Sequence, residues 1–368
     1  MAPSKALEAV YVVAFGSVVL AVVDSTHWLS WLLFGLTMIL PLGFSMVREH
    51  WPLATTVYLV IGCQQVIAVL ITFFLLRPID LWDATYFDVL AAWAAQEPTT
   101  ESGRLWEIGY LTYVNCMSGI YRINNTFFTG VEVSVLFSVL GLLLMIELAH
   151  DCKVPPTRLW WVALAGLIPG SLLFFSVTYR EAWQFFFLVM AVFGAMRVVV
   201  RGEMRWWLIV LVAVVLMGLL QKALFLYAGF LLILTAVFSM FSPARLGVRL
   251  TVGLTIPVLC VALGVIFWLE PQLVTFLEPT LRLIDADLLN QISVYRERMV
   301  NWGAPRTGYK IIYDWSNGAS VAITLASIYA HYLFAPFSGI SRWVDLYPIA
   351  EACMRFSLLS IICIGFFR

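Results

Sequence analysis

Charge is the scarcest commodity in this chain. Only 12% of its 368 residues are Asp, Glu, Lys or Arg, and the two signs cancel at 22 each. A neutral balance gives no electrostatic footprint for nucleic acid or for an acidic partner, so the position of each charge carries more information than the total. Cysteine is sparse as well. Of six, Cys63, Cys260, Cys353 and Cys363 lie in apolar runs, Cys152 follows a short loop and Cys116 stands alone in a longer one. That scatter suggests neither a disulfide framework nor a Cys-x-x-Cys metal site. His27, His50 and His150 sit singly at the ends of apolar runs and make no metal centre. There is no phosphate-binding loop, no dinucleotide-binding glycine fingerprint, no internal repeat and no low-complexity segment.

Apolar side chains fill the space that charge leaves. They make up 62% of the chain and give a mean hydropathy of +0.92, far more than one soluble core can hide. The chain therefore reads as an all-α, polytopic transmembrane bundle forming one integral membrane domain over 1–368. A span needs about 20 apolar residues. The runs that qualify are 7–23, 28–47, 53–76, 131–149, 159–177, 182–200, 206–220, 223–241, 250–269, 319–337 and 346–367, about eleven in all. As one helix 206–241 would be about 54 Å long, too long for a bilayer unless it folds back at Gln221 and Lys222. The same arithmetic breaks 159–200 at Tyr179, Arg180 and Glu181. The first run follows a single Lys5 and lacks a small-residue cleavage site, so it reads as a retained span.

Alternating the loops puts Lys5, Arg48, Lys153, Arg158, Arg197, Arg201, Arg205, Arg245, Arg249 and Arg342 on one face. The excess of Lys and Arg in short loops marks that face, and the N-terminus with it, as cytoplasmic. The opposite face carries Arg180 and Lys222 in tight joins and two long loops, 77–130 and 270–318. No cytoplasmic loop exceeds about ten residues on this map, which leaves no room for a nucleotide-binding domain. Chemistry is expected on the extracytoplasmic face.

Three features there carry candidates. The first is SVTYREAWQ, where Arg180 and Glu181 interrupt long apolar runs. Charges at membrane depth cost several kcal/mol unless paired or wet. Arg180 is expected to hold an anionic group and Glu181 to orient or deprotonate something beside it; the plain alternative is an outer turn reaching the headgroups. Lys222 falls on the same face, its alternative a lysine snorkelling to the surface. The second is QISVYRERMVNWGAPRTGY in the later loop. Leu281, Ile284, Leu288 and Ile292 at helical spacing predict an amphipathic helix on the outer surface. Guanidinium groups grip phosphate bidentately, so Arg298 and Arg306, with Tyr309 beside them, are candidates for a lipid diphosphate headgroup. Unspecific attraction to anionic lipid is the simpler account.

The third is RPIDLWDATYFDVLAAW, where Asp80, Asp83 and Asp88 accompany Trp82, Tyr86 and Trp93. Carboxylates beside aromatic faces suit a sugar, and Asp83 and Tyr86 share a helix face; the alternative is an interfacial helix with solvated acids and a belt of aromatics. Ser320, Thr324, Ser327 and His331 form a polar stripe at helical spacing, most simply small-residue packing. Glu351 and Arg355, four apart in the last span, make an ion pair that reduces the cost of burying both.

The order of these features resembles the Wzy-type O-antigen and exopolysaccharide repeat-unit polymerases. The resemblance runs over about 77–367 and rests on IPGSLLFFSV leading into TYREAW, a hairpin turning at QKALFLYA, and LFAPF before a span bearing Glu351. In that family a serine-rich stretch precedes a basic residue and Glu-Ala, and a basic residue stands near Tyr one hairpin later. Here those places hold Ser176, Arg180, Glu181, Ala182, Lys222 and Tyr227. This chain departs from the pattern at Gln221-Lys222-Ala223, where many relatives have Arg-Pro-Tyr. The resemblance implies an inverting glycosyl transfer without metal or cofactor in a bacterial inner membrane. The donor would be a glycan on undecaprenyl diphosphate and the acceptor a hydroxyl of a second lipid-linked unit. Partners would be the polyprenyl-diphosphate-linked oligosaccharide, membrane lipids, and other polysaccharide assembly and chain-length proteins. Arginines would stabilise the leaving diphosphate. A carboxylate, Glu181 or Asp83, would take the acceptor proton, with Asp80, Asp88 and Tyr86 on the sugar. Two other classes stay open: a glycosyltransferase using polyprenyl-phosphate sugars, with Asp80 or Asp83 as its acid, and a flippase or transporter of lipid-linked glycans.

Overall fold

A computed structural model describes residues 3–74, 82–96, 110–168, 172, 175–178, 180–220, 222–241 and 323. The chain divides into two compact units, Met1–Ile256 and Pro257–Arg368. Only Ile323 of the second is described, so the architecture below is that of the first. The later loop, the last three expected spans apart from Ile323, and the arginines at 298 and 306 lie outside the described residues.

Every described element is helical. They are α1 (Pro3–Val23), α2 (Trp28–Ile39), α3 (Ser45–Glu49), α4 (Trp51–Phe74), α5 (Trp82–Gln96), α6 (Tyr110–Tyr121), α7 (Phe127–Asp151), α8 (Leu159–Leu164), α9 (Arg180–Met196), α10 (Arg205–Leu220) and α11 (Lys222–Phe241). Among the described residues three helices are long and apolar enough to cross a membrane: Trp51–Phe74, Phe127–Asp151 and Arg180–Arg201. The shorter apolar helices are Glu8–Val23, Trp28–Gly43, Arg205–Leu220 and Tyr227–Ser239.

Two runs depart from the map of spans. The run at 28–47 is not one helix: α2 gives way to a 3-10 turn over Leu40–Gly43, and Phe44 is extended at φ −97°, ψ 116° before α3. Pro41 supplies the reason, since it has no N–H for the α-helical ladder. The run at 159–177 is interrupted too. After α8 and a 3-10 turn over Ala165–Leu167, Ile168 leaves the helix at ψ 126°, as expected for a residue whose successor, Pro169, clashes with helical backbone before it. The two long-helix breaks fall where length required them, with α9 starting at Arg180 and α11 at Lys222.

Helix α7 is the hub. It packs against α2, α4, α6, α8 and α9, and Val131, Val135, Val139, Leu142, Leu143 and Ile146 join Leu53, Val57, Val60 and Ile61 of α4 in one buried cluster. Lipid is as apolar as these side chains, so helix association here draws on close packing more than on hydrophobic transfer, and small residues mark the crossings. A Cβ on Gly141 would stand 2.6 Å from the Phe185 ring, and one on Gly194 2.8 Å from Val210. Phe15, Val22, Leu59, Val66, Leu208 and Val215 stay exposed on the rim.

The two ends differ in chemistry. At one, Asp151 pairs with Arg197 and, at 2.6 Å, with Arg201, while Glu203 takes Arg205 at 2.8 Å. Gly202 in the left-handed region (φ 67°) closes the π-helical turn Arg197–Arg201 that makes this geometry possible. At the other end Thr126 caps α7, accepting from Thr129 N at 3.2 Å. There Asn124 donates to Thr26 O at 2.9 Å and Ser30 bonds Thr129 at 2.9 Å, which ties the α1–α2 turn to the start of α7.

Candidate functional site

At this second end the described part of the 77–130 loop folds over the start of α9. Arg180, the first residue of α9, points its guanidinium at the Phe87 ring of α5, 5.6 Å from the centroid. Its Nε lies 3.9 Å from Glu181 Oε1, with the two side chains 23% and 42% exposed. A cation over an aromatic face in a partly dry setting is held in place without being neutralised. The guanidinium therefore stays able to bind an anion.

The aromatic wall continues inward. Phe87 meets Tyr113 of α6 edge-on at 5.8 Å, Tyr113 meets Trp183 of α9 at 5.5 Å, and Trp183 stacks on Phe137 of α7 at 4.2 Å. Four helices thus share one ring cluster beneath Arg180. Tyr113 is fully buried; burial pushes its hydroxyl far up, and the negative charges of Glu181 and Asp88 push it further. Both carboxylates therefore act on one buried tyrosine.

Asp88 joins through Tyr121, the last residue of α6, whose hydroxyl donates to Asp88 Oδ1. Burial raises the Asp88 carboxyl above its usual range, and the Tyr121 hydroxyl draws it partly back. Helix α7 leaves room for this hydroxyl only because it has glycine at 130. A Cβ there would overlap the Tyr121 oxygen and stand 3.0 Å from Thr178 Cγ2 and 3.2 Å from Met117 Cε. The α5–α6 pair is thereby clasped to the ends of α7 and α9.

The expected site residues divide accordingly. Arg180, Glu181 and Asp88 come together. Tyr86 does not share their setting: it is two residues from Asp88, so about 200° away around α5, and lies with Val89 and Trp93 among the exposed side chains of that helix. Asp83 is in the first turn of α5 and Lys222 opens α11, but their side chains lie outside the described residues. Asp80, Arg298, Arg306 and Tyr309 also lie outside them. Ser176 and Thr178 are buried just before α9. Among the described residues no three His, Cys, Asp or Glu side chains gather as a metal ion would need.

Sequence reasoning missed the four rings of the wall, Phe87, Tyr113, Trp183 and Phe137, and Tyr121 beside them, because aromatic side chains are common throughout this chain. It also missed Glu132, a fully buried acid in α7. An acid inside the apolar run 131–149, facing a run that holds Gln64-Gln65, was the available signal. No family model, curated protein or solved structure matches the chain. Its functional reading rests on its own residues.

Proposed function

We propose that the chain polymerises lipid-linked oligosaccharide repeat units at the extracytoplasmic face of a bacterial inner membrane, as a bundle of about eleven spans. The single observation that carries this reading is the cluster at the start of α9. A guanidinium rests on an aromatic ring with one carboxylate 3.9 Å away and a second next to that ring on α5, at the end of helices able to cross a membrane.

The chemistry follows from those groups. A polyprenyl diphosphate is already a good leaving group, so catalysis needs charge stabilisation more than a general acid. Arg180 takes the diphosphate oxygens as the anomeric C–O bond breaks and the electron pair passes to the leaving group. Lys222, Arg298 and Arg306 supply further positive charge. The acceptor hydroxyl loses its proton to a carboxylate, Glu181 in first place, as its oxygen attacks the anomeric carbon from the opposite side. Asp88 lines the sugar, with Asp80, Asp83 and Tyr309.

One observation favours a second reading, a glycosyltransferase that uses polyprenyl-phosphate sugars. Asp88 comes from the first long loop and is half-buried beside Arg180's aromatic platform, where such an enzyme would keep its acid. Lipid analysis after deletion separates these readings. Single lipid-linked repeats accumulate if the chain is a polymerase, unfinished repeats if it adds one sugar, and complete repeats trapped on the inner leaflet if it is a flippase. Either of the last two outcomes overturns the polymerase assignment.

A further inference from the structure

Glu132 sits one and a half turns into α7 and has no exposed surface. Gln65 Nε2 of α4 donates to its Oε2 at 3.0 Å. Its other oxygen, Oε1, has no hydrogen-bond partner, and neither does Gln65 Oε1. One residue along α4, Gln64 Nε2 donates to Ser138 Oγ at 2.8 Å while Gln64 Oε1 is likewise unpartnered. Three buried acceptor oxygens thus stand within one short stretch of the α4–α7 contact, and buried acceptors without donors are rare in folded proteins.

The carboxylate charge is uncompensated as well. Of the helices packed against α7, α2, α4, α6 and α8 contain no Lys, Arg or His. His27, which precedes α2, meets Phe128 of α7 edge-on but is bonded through Nδ1 to Asp24 at 2.9 Å, and His150 lies about five turns beyond Glu132 along α7. Helix α9 contains only Arg180, at its first residue, which is engaged with Glu181 and Phe87. The acids nearest in chemistry are Glu181 on α9, and Glu147 and Asp151 four turns or more further along α7. The other titratable groups on these helices are tyrosines and cysteines, Tyr58 and Cys63 on α4 and Tyr110, Tyr113, Cys116 and Tyr121 on α6. None of them is a cation. A bare carboxylate buried among such neighbours is strongly disfavoured.

We propose that Glu132 and Gln65, with Gln64 beside them, form an intramembrane site for one monovalent cation, a proton or a sodium ion, between α4 and α7. A proton would close the pair completely: the acid O–H donates to Gln65 Oε1 while Gln65 Nε2 donates to Glu132 Oε2. Sodium, a hard cation, would take the same free oxygens as ligands. Either occupant removes the charge: the proton also gives Glu132 Oε1 and Gln65 Oε1 their missing partner, while sodium would draw on the free oxygens directly. The site faces α4, on the side of α7 opposite Gly130 and the Arg180 cluster, and does not depend on the glycan reaction, so loss of the polymerase assignment leaves it standing.

Infrared spectroscopy of the full chain in lipid nanodiscs, at neutral pH in sodium and in potassium medium, tests the site, paired with radioactive sodium binding. A proton occupant gives a protonated-carboxyl band in both media that is lost in Glu132→Gln and shifted in Gln65→Met. A sodium occupant gives one bound sodium per chain, lost in Glu132→Gln, with the band appearing only when sodium is withdrawn. Glu132→Gln preserves size and can still accept from Gln65. Should it fail to insert, Gln65→Met alone must still shift the band or weaken sodium binding. No such band in either medium together with no sodium binding, or a band that neither variant changes, overturns the proposal.

Discussion

Replacing Gly130 with alanine should unlock the α5–α6 cover from the bundle, and the structure says by how much. The added methyl overlaps the Tyr121 hydroxyl, which cannot swing aside freely because Tyr121 is 2% exposed and bonded to Asp88. Breaking a hydrogen bond to a charged partner costs about 1.5 to 3 kcal/mol, and forcing a methyl into a filled space adds about 1 to 3 kcal/mol. Alanine returns about 1 kcal/mol through its better helix propensity. The net loss is about 1.5 to 5 kcal/mol. Tyr121→Phe removes the oxygen that the methyl strikes, so in that background Gly130→Ala should cost much less, with only the 3.0 Å and 3.2 Å contacts to Thr178 and Met117 left to ease. The assay is equilibrium unfolding in mixed micelles, followed by tryptophan fluorescence, on wild type, both single variants and the double variant. The two changes should couple by about 2 kcal/mol; additivity within about 0.5 kcal/mol, as found for independent sites, would refute the clasp.

Four further expectations follow from the contacts at the two ends. Because burial raises the Asp88 carboxyl from 3.8, the native state holds that proton more tightly than the unfolded chain. Its contribution is most favourable below that value and is lost as pH rises through the shifted one; Asp88→Asn should flatten this slope and Tyr121→Phe steepen it. A wild type that gains stability over Asp88→Asn with rising pH would contradict the assignment. Arg180→Lys loses the planar fork and about 1 to 3 kcal/mol of charged hydrogen bonding, so polymer yield should fall roughly ten- to hundred-fold at unchanged membrane level. Glu181→Gln should fall at least as far, and near-normal polymer from it would pass the base role to Asp88 or Asp83. At the opposite end Asp151→Ala leaves Arg197, 15% exposed, with only Glu203 at 3.8 Å and the Phe193 and Trp206 rings, and should cost about 1 to 3 kcal/mol in the same unfolding assay; a loss under about 0.5 kcal/mol would refute a structural role for that ion pair.

Length arithmetic read the long interruptions well. A helix through 206–241 or 159–200 is too long for a bilayer, and α9 and α11 begin at the charged residues Arg180 and Lys222. Shorter interruptions escaped it. A hydropathy run averages over Pro41 and Pro169 as readily as over leucine, although each removes a backbone donor and bends the chain out of the α-helix within a residue or two. Glu132 escaped for a related reason. One acid in a long apolar run barely moves the mean, while its meaning depends on what α4 and the other neighbours of α7 set against it.

The acidic and aromatic stretch at 80–93 shows where pattern reading stops. In sequence Asp83, Tyr86 and Asp88 belong to one cluster, and spacing correctly puts Asp83 and Tyr86 on a common helix face. Two residues further on, the helix has turned about 200°. That turn becomes chemistry only because α6 covers one side of α5. Tyr121 then reaches Asp88, Phe87 meets Arg180 and Tyr113, and Tyr86 is left among the exposed side chains. Which acid is withdrawn from water is decided by the covering helix, and α6 owes its place to Gly130, forty-two positions beyond Asp88 and on a different element. Spacing within α5 alone therefore could not show that Asp88 is dried and bonded. Among the described acids of α5 the one that folding dries is Asp88, bonded to Tyr121 and next to the Phe87 ring that meets Arg180, on the helix face opposite to Tyr86.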